Sequence, residues 1–182
     1  MSWSEQVGPS RPGKLLGILA LISGLALNAC GFRPLYGESA QGASSFDRLE
    51  TVQIAALPDR TGQQLHNLLR DRINPRGQPN APEYVLRVFL SEQTEALAID
   101  QDETATRANL RLSASFTLTR LEGEEVVFTG LSNSINSYNI VDSQFATFVS
   151  ERDARERALR ELSDDIRARL GLYFARARAR AS

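Results

Sequence analysis

Residues 110–119 read Leu-Arg-Leu-Ser-Ala-Ser-Phe-Thr-Leu-Thr, the clearest alternation of apolar and polar side chains in the sequence. A period of two residues is typical of a β-strand that packs one face on a core and leaves the other face polar. The apolar set is Leu110, Leu112, Ala114, Phe116 and Leu118, and the polar set is Arg111, Ser113, Ser115, Thr117 and Thr119. This stretch therefore predicts a sheet with one buried face and one polar face.

Three flanking segments predict the other strands of this sheet. Residues 49–57, 83–90 and 125–138 are rich in β-branched and aromatic side chains and are bounded by prolines or turn residues. Residues 83–90 carry large apolar groups on both faces, which indicates an internal position in the sheet. The sequence at 122–124, Glu-Gly-Glu, predicts the turn into the last strand.

Two segments have the apolar spacing of amphipathic helices. Thr61 and Gln64 have the spacing of a capping box, which predicts that a first helix begins at Thr61 and ends at Asn74-Pro75. A second helix is predicted from about Ser143 to Phe174, or from a second capping box at Ser150. Its outer face predicts four ion pairs with a spacing of four residues: Glu151/Arg155, Asp153/Arg157, Glu156/Arg160 and Asp165/Arg169.

The predicted order of elements is β-α-β-β-β-α. Each helix has a single apolar stripe, so both should cover the same sheet face. The fold class is therefore α+β: a two-layer sandwich with two helices packed on one face of a four-stranded mixed sheet. The connection at residues 91–106 carries five acidic side chains before any basic one, which predicts a solvated hairpin tip.

The N-terminal region reads as a bacterial lipoprotein signal. Basic residues precede the uncharged run 15–27, which is too short to span a bilayer, and Leu27-Asn28-Ala29-Cys30 follows it with the only cysteine of the chain. We expect cleavage of residues 1–29 and lipid attachment to Cys30, with acyl chains that anchor the protein in a membrane. The alternative is an ordinary secretory signal with an incidental cysteine.

The remaining chain divides into a lipidated tether at 30–48, one α+β domain at 49–175 and an arginine-rich tail at 176–182. Cleavage would remove two of the 21 basic residues and one of the 22 acidic ones, so the rest is weakly acidic and predicts no nucleic-acid partner. The tail is interpreted as an anion-binding segment or as basic groups that offset the helix dipole.

The sequence shows no arrangement of residues that predicts catalysis. His66 is the only histidine, Cys30 is taken by lipid, and no nucleophile motif or glycine-rich phosphate loop is present. We therefore predict no catalytic residue, no metal site and no cofactor, and we interpret the chain as a binding or assembly component.

Two segments, together with the element order, resemble the LptE family of lipopolysaccharide-assembly lipoproteins. They are residues 27–36, Leu-Asn-Ala-Cys-Gly-Phe-Arg-Pro-Leu-Tyr, and the helical end from 146–154 through 166–170. The resemblance implies a lipid-anchored protein on the periplasmic side of the outer membrane. It also implies a place inside the lumen of the β-barrel LptD, where such proteins assist barrel assembly and lipopolysaccharide transport to the outer leaflet.

The polar strand face of residues 113–119 suits the interior of a large barrel. Family members bind lipopolysaccharide through basic loop residues, whereas the loop here, near Ile99 to Glu103, is acidic. Arg107 and Arg111, which follow that loop, are the candidates for binding lipid phosphate, because a guanidinium can bind phosphate in a bidentate way. Two other function classes stay open: a free periplasm-facing lipid-binding lipoprotein without a barrel partner, and an envelope enzyme.

Overall fold

The computed structural model describes residues 48–99 and 105–181. The strands are β1 (Val52–Ile54), β2 (Tyr84–Ile99), β3 (Ala105–Arg120) and β4 (Glu125–Asn139). The helices are α1 (Asp59–Ile73) and α2 (Gln144–Ala181), and short 3-10 turns lie at Leu49–Thr51 and Glu122–Glu124. The predicted order β-α-β-β-β-α is confirmed.

The four strands form one mixed sheet in the order β1-β2-β3-β4. β1 pairs with β2 in parallel, and β2, β3 and β4 form an antiparallel meander. The alternation at 110–119 sets the layers, because its five apolar residues are all at most 2% exposed and lie in the core. Both helices pack against this same face, so the predicted two-layer α+β sandwich is confirmed.

The strand predicted at 49–57 is wrong in extent. The Thr51 N–H and hydroxyl both donate to the Arg48 carbonyl, which closes a 3-10 turn before the strand begins. The pairing with β2 ends when the Ala55 N–H donates to the Leu86 carbonyl at 3.0 Å, and the chain then turns at Pro58. The large apolar residues of this stretch therefore fill the core, and only Val52–Ile54 extend the sheet.

The capping box predicted for α1 is also wrong. The helix begins two residues earlier, and the Asp59 carboxylate accepts the Gly62 N–H at 2.8 Å. Asp59 has a φ of 59°, in the left-handed region that aspartate tolerates better than most residues. The predicted apolar stripe is confirmed, since Leu65, Leu69 and Ile73 are buried.

The hairpin of β2 and β3 is longer than predicted. Residues 91–99 and 105–106, predicted as a solvated connection, belong to the strands, and Ser91 lies opposite Ser113. Backbone pairing between adjacent strands continues here although the side chains are polar, because the hydrogen bonds of a sheet need no apolar surface. A register shift occurs near Ala96 and Ala98, at the end of the regular ladder.

Helix α2 is 38 residues long. It begins at Gln144, so the alternative start at Ser150 is wrong, and it runs to Ala181, so the predicted end at Phe174 is wrong too. Two of the four predicted ion pairs form, Glu151–Arg155 at 2.6 Å and Asp165–Arg169 at 2.7 Å. The other two predicted pairs, Asp153/Arg157 and Glu156/Arg160, are wrong. Arg157 bonds to β4 instead, and Glu156 lies 3.6 Å from Arg152.

Candidate interaction surface on the open sheet face

One face of the sheet carries no helix from the part of the chain that the structure describes. Away from the register shift at Leu118 and Thr119, the core-facing residues of β2, β3 and β4 have even numbers and the open face has odd numbers. We define the open face by its central residues, which are Arg87, Phe89, Ser91, Gln93, Asn109, Arg111, Ser113, Ser115, Thr117, Thr129, Leu131, Asn133 and Ile135. It is mostly polar, with two arginines and three large apolar side chains.

The apolar residues of the open face lie in ordered rows across the strands. Phe89 lies opposite Ser115, which lies opposite Leu131, and the two apolar side chains are 73% and 54% exposed. Arg111 lies between Gln93 of β2 and Ile135 of β4. Large exposed apolar groups on a strand face that no element covers are typical of contact surfaces. The open face therefore exposes both polar and apolar side chains to a possible contact.

A polar cluster on the opposite side fixes β4 against α2. The Ser134 hydroxyl donates to a Glu161 carboxylate oxygen at 2.5 Å, and the Asn136 amide donates to the Ser134 hydroxyl at 2.9 Å. The Arg157 Nε donates to the Asn136 side-chain oxygen Oδ1 at 3.2 Å. Ser134 and Asn136 are buried, and their bonds satisfy groups that would otherwise be desolvated without a partner.

An ion-pair cluster ties the polar half of β2 to α2. Arg155 binds both carboxylate oxygens of Glu92 through Nε at 3.0–3.1 Å, and one terminal nitrogen lies 2.6 Å from Glu92 and from Glu151. Hydrogen bonds to Glu92 first, and to Glu151, raise the pKa of the Arg155 guanidinium above its ordinary value. Because the cluster is only partly exposed, it fixes the strand more firmly than an exposed pair would.

A row of aromatic rings holds the other end of the sheet. Tyr84 meets Phe174 edge-on and Tyr173 stacks on Phe128, in both cases with ring centroids 5.2 Å apart. The Phe116 ring lies 6.0 Å from Phe128 and passes over a glycine of β4. Burial raises the pKa of the Tyr173 phenol. The open face therefore belongs to a sheet fixed at both ends.

The two predicted phosphate-binding residues lie on β3, where both are exposed. Arg107 lies opposite Asn139 and Arg111 opposite Ile135. Four residues along a strand separate their Cα atoms by about 13 Å. The two arginines therefore share one strand, but they line two different surface depressions.

Each arginine lines a depression of its own. Arg111 borders one of about 350 Å³, together with Gln93, Thr94, Glu95 and Asn109. Arg107 borders one of about 240 Å³ between the ends of β3 and β4 and the start of α2. The other residues lining the second depression are Ser137, Tyr138, Asn139, Ser150, Asp153 and Arg157.

The only histidine of the sequence lies beside the end of β1. His66 Nδ1 lies 3.2 Å from the Ala55 carbonyl oxygen, which places the ring between α1 and the end of β1. In residues 48–99 and 105–181, no group of three or more His, Cys, Asp or Glu side chains could hold a metal ion. No helix there combines the length and the apolar character needed to cross a membrane.

Some predicted features lie outside the described residues: the signal at 1–29, Cys30, and the tether except for Arg48. The acidic tip at 100–104 also lies outside them. Sequence reasoning placed Phe89 on the second face of its strand but did not predict that it shares an open face with Leu131 and Ile135. Their odd numbers, combined with the register of the strands, are the signal that places them there.

Comparisons with known proteins agree with this fold. The chain is 23% identical over 150 residues to the uncharacterized protein RP188 of Rickettsia prowazekii (strain Madrid E), covering 82% of this chain and 92% of that protein. The crystal structure of a putative lipoprotein from Caulobacter crescentus CB15 has a TM-score of 0.61 at 24% identity, covering 72% and 96% of the two chains. A minor lipoprotein from Acinetobacter baumannii has a TM-score of 0.51 at 19% identity, covering 66% and 90%.

The family comparison covers the described domain almost from end to end. The family model described as LptE, lipopolysaccharide-assembly, matches residues 49–170. This range runs from the 3-10 turn before β1 to the core residue Leu170 of α2, and so includes all four strands. The chain therefore belongs to the LptE lipopolysaccharide-assembly family.

Proposed function

We propose that the protein is an outer-membrane lipoprotein that plugs the lumen of the LptD β-barrel, assists its assembly and takes part in lipopolysaccharide transport to the outer leaflet. Cys30 carries the lipid anchor, on the periplasmic side, after cleavage of residues 1–29. The protein is not an enzyme in this proposal. Membership of the LptE family supports a role in lipopolysaccharide assembly. The open face is the single structural observation that supports LptD as the partner.

The composition of the open face suits a barrel lumen. The lumen of a large outer-membrane barrel is polar and contains water, whereas its outer surface faces lipid. The serine, threonine and asparagine side chains of the open face can hydrogen-bond to such a wall. Phe89 and Leu131 supply apolar contacts that a purely solvated face would not need, since they are exposed on the same row.

Cross-linking from the two sides of the sandwich tests the barrel contact. A photoreactive side chain at Ser115 lies in the centre of the open face, and one at Arg160 lies on the exposed outer side of α2. We expect LptD adducts from Ser115 in intact cells and fewer from Arg160. Equal adducts would contradict the open face as the contact surface, and no adduct from either would favour the free lipid-binding lipoprotein.

We further propose that Arg107 and Arg111 bind phosphate groups of lipopolysaccharide. Both are exposed, and each lines a separate polar depression, so each would bind its own phosphate. Two charge-assisted contacts in separate depressions would recognise a molecule with more than one phosphate.

The binding assay uses matched double variants. Replacing Arg107 and Arg111 with alanine should weaken lipopolysaccharide binding by about tenfold or more, because each charge-assisted hydrogen bond contributes about 1.5–3 kcal/mol. The control replaces Arg60 and Arg70, two exposed arginines of α1, and makes the same change in net charge. Equal loss in both double variants would indicate non-specific charge attraction, and no loss in the first would remove these two residues from the site.

A further inference from the structure

The C-terminal end of α2 extends beyond the core. Phe174 is the last buried residue of this helix, which continues to Ala181. At 1.5 Å per residue, the part after Phe174 is about 10 Å long. It consists only of alanine and arginine, which are strong helix formers, so the helix continues here without support from the core. We call residues 175–181 the helix extension.

The helix extension belongs to a stretch without acidic side chains. Residues 166–182 contain no aspartate or glutamate and five arginines: Arg167, Arg169, Arg176, Arg178 and Arg180. Arg176 and Arg180 are exposed, and neither side chain forms an ion pair or hydrogen bond with another residue that the structure describes. With a spacing of four residues, they lie on the same helix face as Leu172, which is 41% exposed. This face therefore combines an apolar group with two cations.

The helix dipole explains these arginines only in part. Basic side chains offset the dipole within the last turn of a helix, and the effect falls off beyond it. Arg178 and Arg180 lie in the last turn of α2, but Arg176 does not. The dipole therefore does not account for the position of Arg176.

The acidic side chains at this end of the domain belong to the sheet. Glu122 and Glu124 are exposed in the turn between β3 and β4, and Glu125 pairs with Arg120 at 3.2 Å. The helix extension, in contrast, carries only positive side chains. The part of α2 beyond the core therefore presents a basic surface.

The N-terminal tether joins the domain at the same end as the helix extension. The Arg48 carbonyl accepts the Thr51 N–H in the turn before β1, and β1 begins opposite Tyr84 of β2. The Tyr84 ring in turn meets Phe174, the residue before the extension, with the ring centroids 5.2 Å apart. The other end of β2 lies about 50 Å away, because the strand has 16 residues. A membrane anchor on the tether is therefore attached to the domain at its basic end.

We infer that the helix extension binds anionic phospholipid headgroups of the membrane that holds the lipid on Cys30. The inference rests on the lipid attachment in the proposed function. Arginines close to an anionic membrane surface are attracted to it, and a guanidinium can bind a phosphate through two parallel hydrogen bonds. Leu172 supplies an apolar group that can enter the headgroup region beside Arg176. Because the acyl chains already anchor the protein, this contact sets the orientation of the domain, and it uses no residue of the open face.

Photocross-linking of the full, lipid-bearing chain to vesicles tests the contact. A photoreactive side chain replaces either Ala179 in the helix extension or Gln144 at the other end of α2, both of which are exposed. The vesicles contain phosphatidylcholine with or without phosphatidylglycerol. With phosphatidylglycerol, we expect at least about fivefold more lipid adducts from position 179 than from position 144, and a smaller difference without it. Equal yields at the two positions, or a yield at 179 that does not depend on phosphatidylglycerol, overturn the inference.

The mass of the same chain separates this inference from the proposed function. A chain without lipid on Cys30 would refute the anchor and the inference together. A lipid-bearing chain with equal adducts from the two positions would overturn the inference alone.

Matched double variants separate lipid binding from helix stability. Arg176→Gln with Arg180→Gln removes two charges from the helix extension, and Arg152→Gln with Arg160→Gln removes two exposed charges elsewhere on α2. Glutamine forms helices about as well as arginine, so both double variants should fold. With phosphatidylglycerol, we expect the first pair to lower the lipid adducts from position 179 at least about tenfold and the control pair to change them little. Equal loss in both pairs, or a lower melting temperature of the first pair with unchanged adducts, contradicts the inference.

Discussion

Replacing Gly130 of β4 with alanine tests the packing of the Phe116 ring over this strand. A Cβ built at Gly130 would meet Phe116 ring atoms at distances of 2.9 Å or less. Real Cβ atoms do not approach so closely, so the ring or the strand must move. Phe116 is 2% exposed and lies against Phe128, which leaves the ring little room.

The structure predicts the sign as well as the size of the effect. In a strand, Gly→Ala normally stabilises by about 0.4–1 kcal/mol, because alanine restricts the unfolded chain. Overpacking a buried ring costs about 1–3 kcal/mol. We expect the free energy of unfolding to fall by about 1–2 kcal/mol, and the melting temperature to fall by about 2–8 °C.

Urea denaturation of four chains measures this directly: the parent, Gly130→Ala, Phe116→Leu and the double variant. Phe116→Leu removes the ring that causes the clash, so the double variant should be more stable than the sum of the two single changes by about 1–2 kcal/mol. Ser132→Ala, at the next core-facing position of β4, is the control and should change little. A stable Gly130→Ala chain without coupling to Phe116 would refute the packing argument.

Three further predictions concern the contacts that shape the fold. Arg155→Ala should lower the free energy of unfolding by about 1–3 kcal/mol, because two carboxylates lose their partner, whereas Arg152→Ala, in an exposed pair, should cost less than about 0.5 kcal/mol in the same urea assay. Asp59→Ala should cost about 1 kcal/mol through loss of the helix cap, and Thr61→Ala should cost little; the reverse order in thermal melting would restore the capping box predicted from the sequence. Burial raises the pKa of the Tyr173 phenol in the folded chain. The stabilisation that the neutral phenol provides is therefore complete below the unfolded pKa of about 10 and is lost as the pH rises through the folded pKa. Between about pH 9 and 11, Tyr173→Phe should lose less free energy of unfolding than the parent chain.

The layers of the fold could be predicted because the core signals are local. The alternation around Phe116 predicts which face of β3 is buried, and the stripe at Leu65 and Leu69 does the same for α1. The ends of the strands and helices are harder to predict, because they depend on hydrogen bonds to residues that are distant in the sequence. Residues 91–99 extend as a strand because residues 105–113 pair with them, and nothing in their polar side chains states this.

The open face could be predicted only in part, because its composition also depends on how the strands pair. The polar residues at 113–119 were identified from their alternation, but the exposed apolar groups come from neighbouring strands. Phe89 and Leu131 join Ser115 only when the register aligns three strands. Arg107 and Arg111 are both exposed on β3, but they line separate depressions, which only the arrangement of the neighbouring elements determines.

The most direct test of the proposed function is a gentle detergent pulldown of the tagged protein from outer membranes, with the partners identified by mass spectrometry. The account predicts one large β-barrel protein in stoichiometric amount, and loss or misassembly of that barrel when this chain is depleted. Recovery of the chain from the outer membrane without any barrel protein would contradict the proposal that it plugs the LptD barrel. The protein would then be a member of the LptE family that acts without a barrel partner.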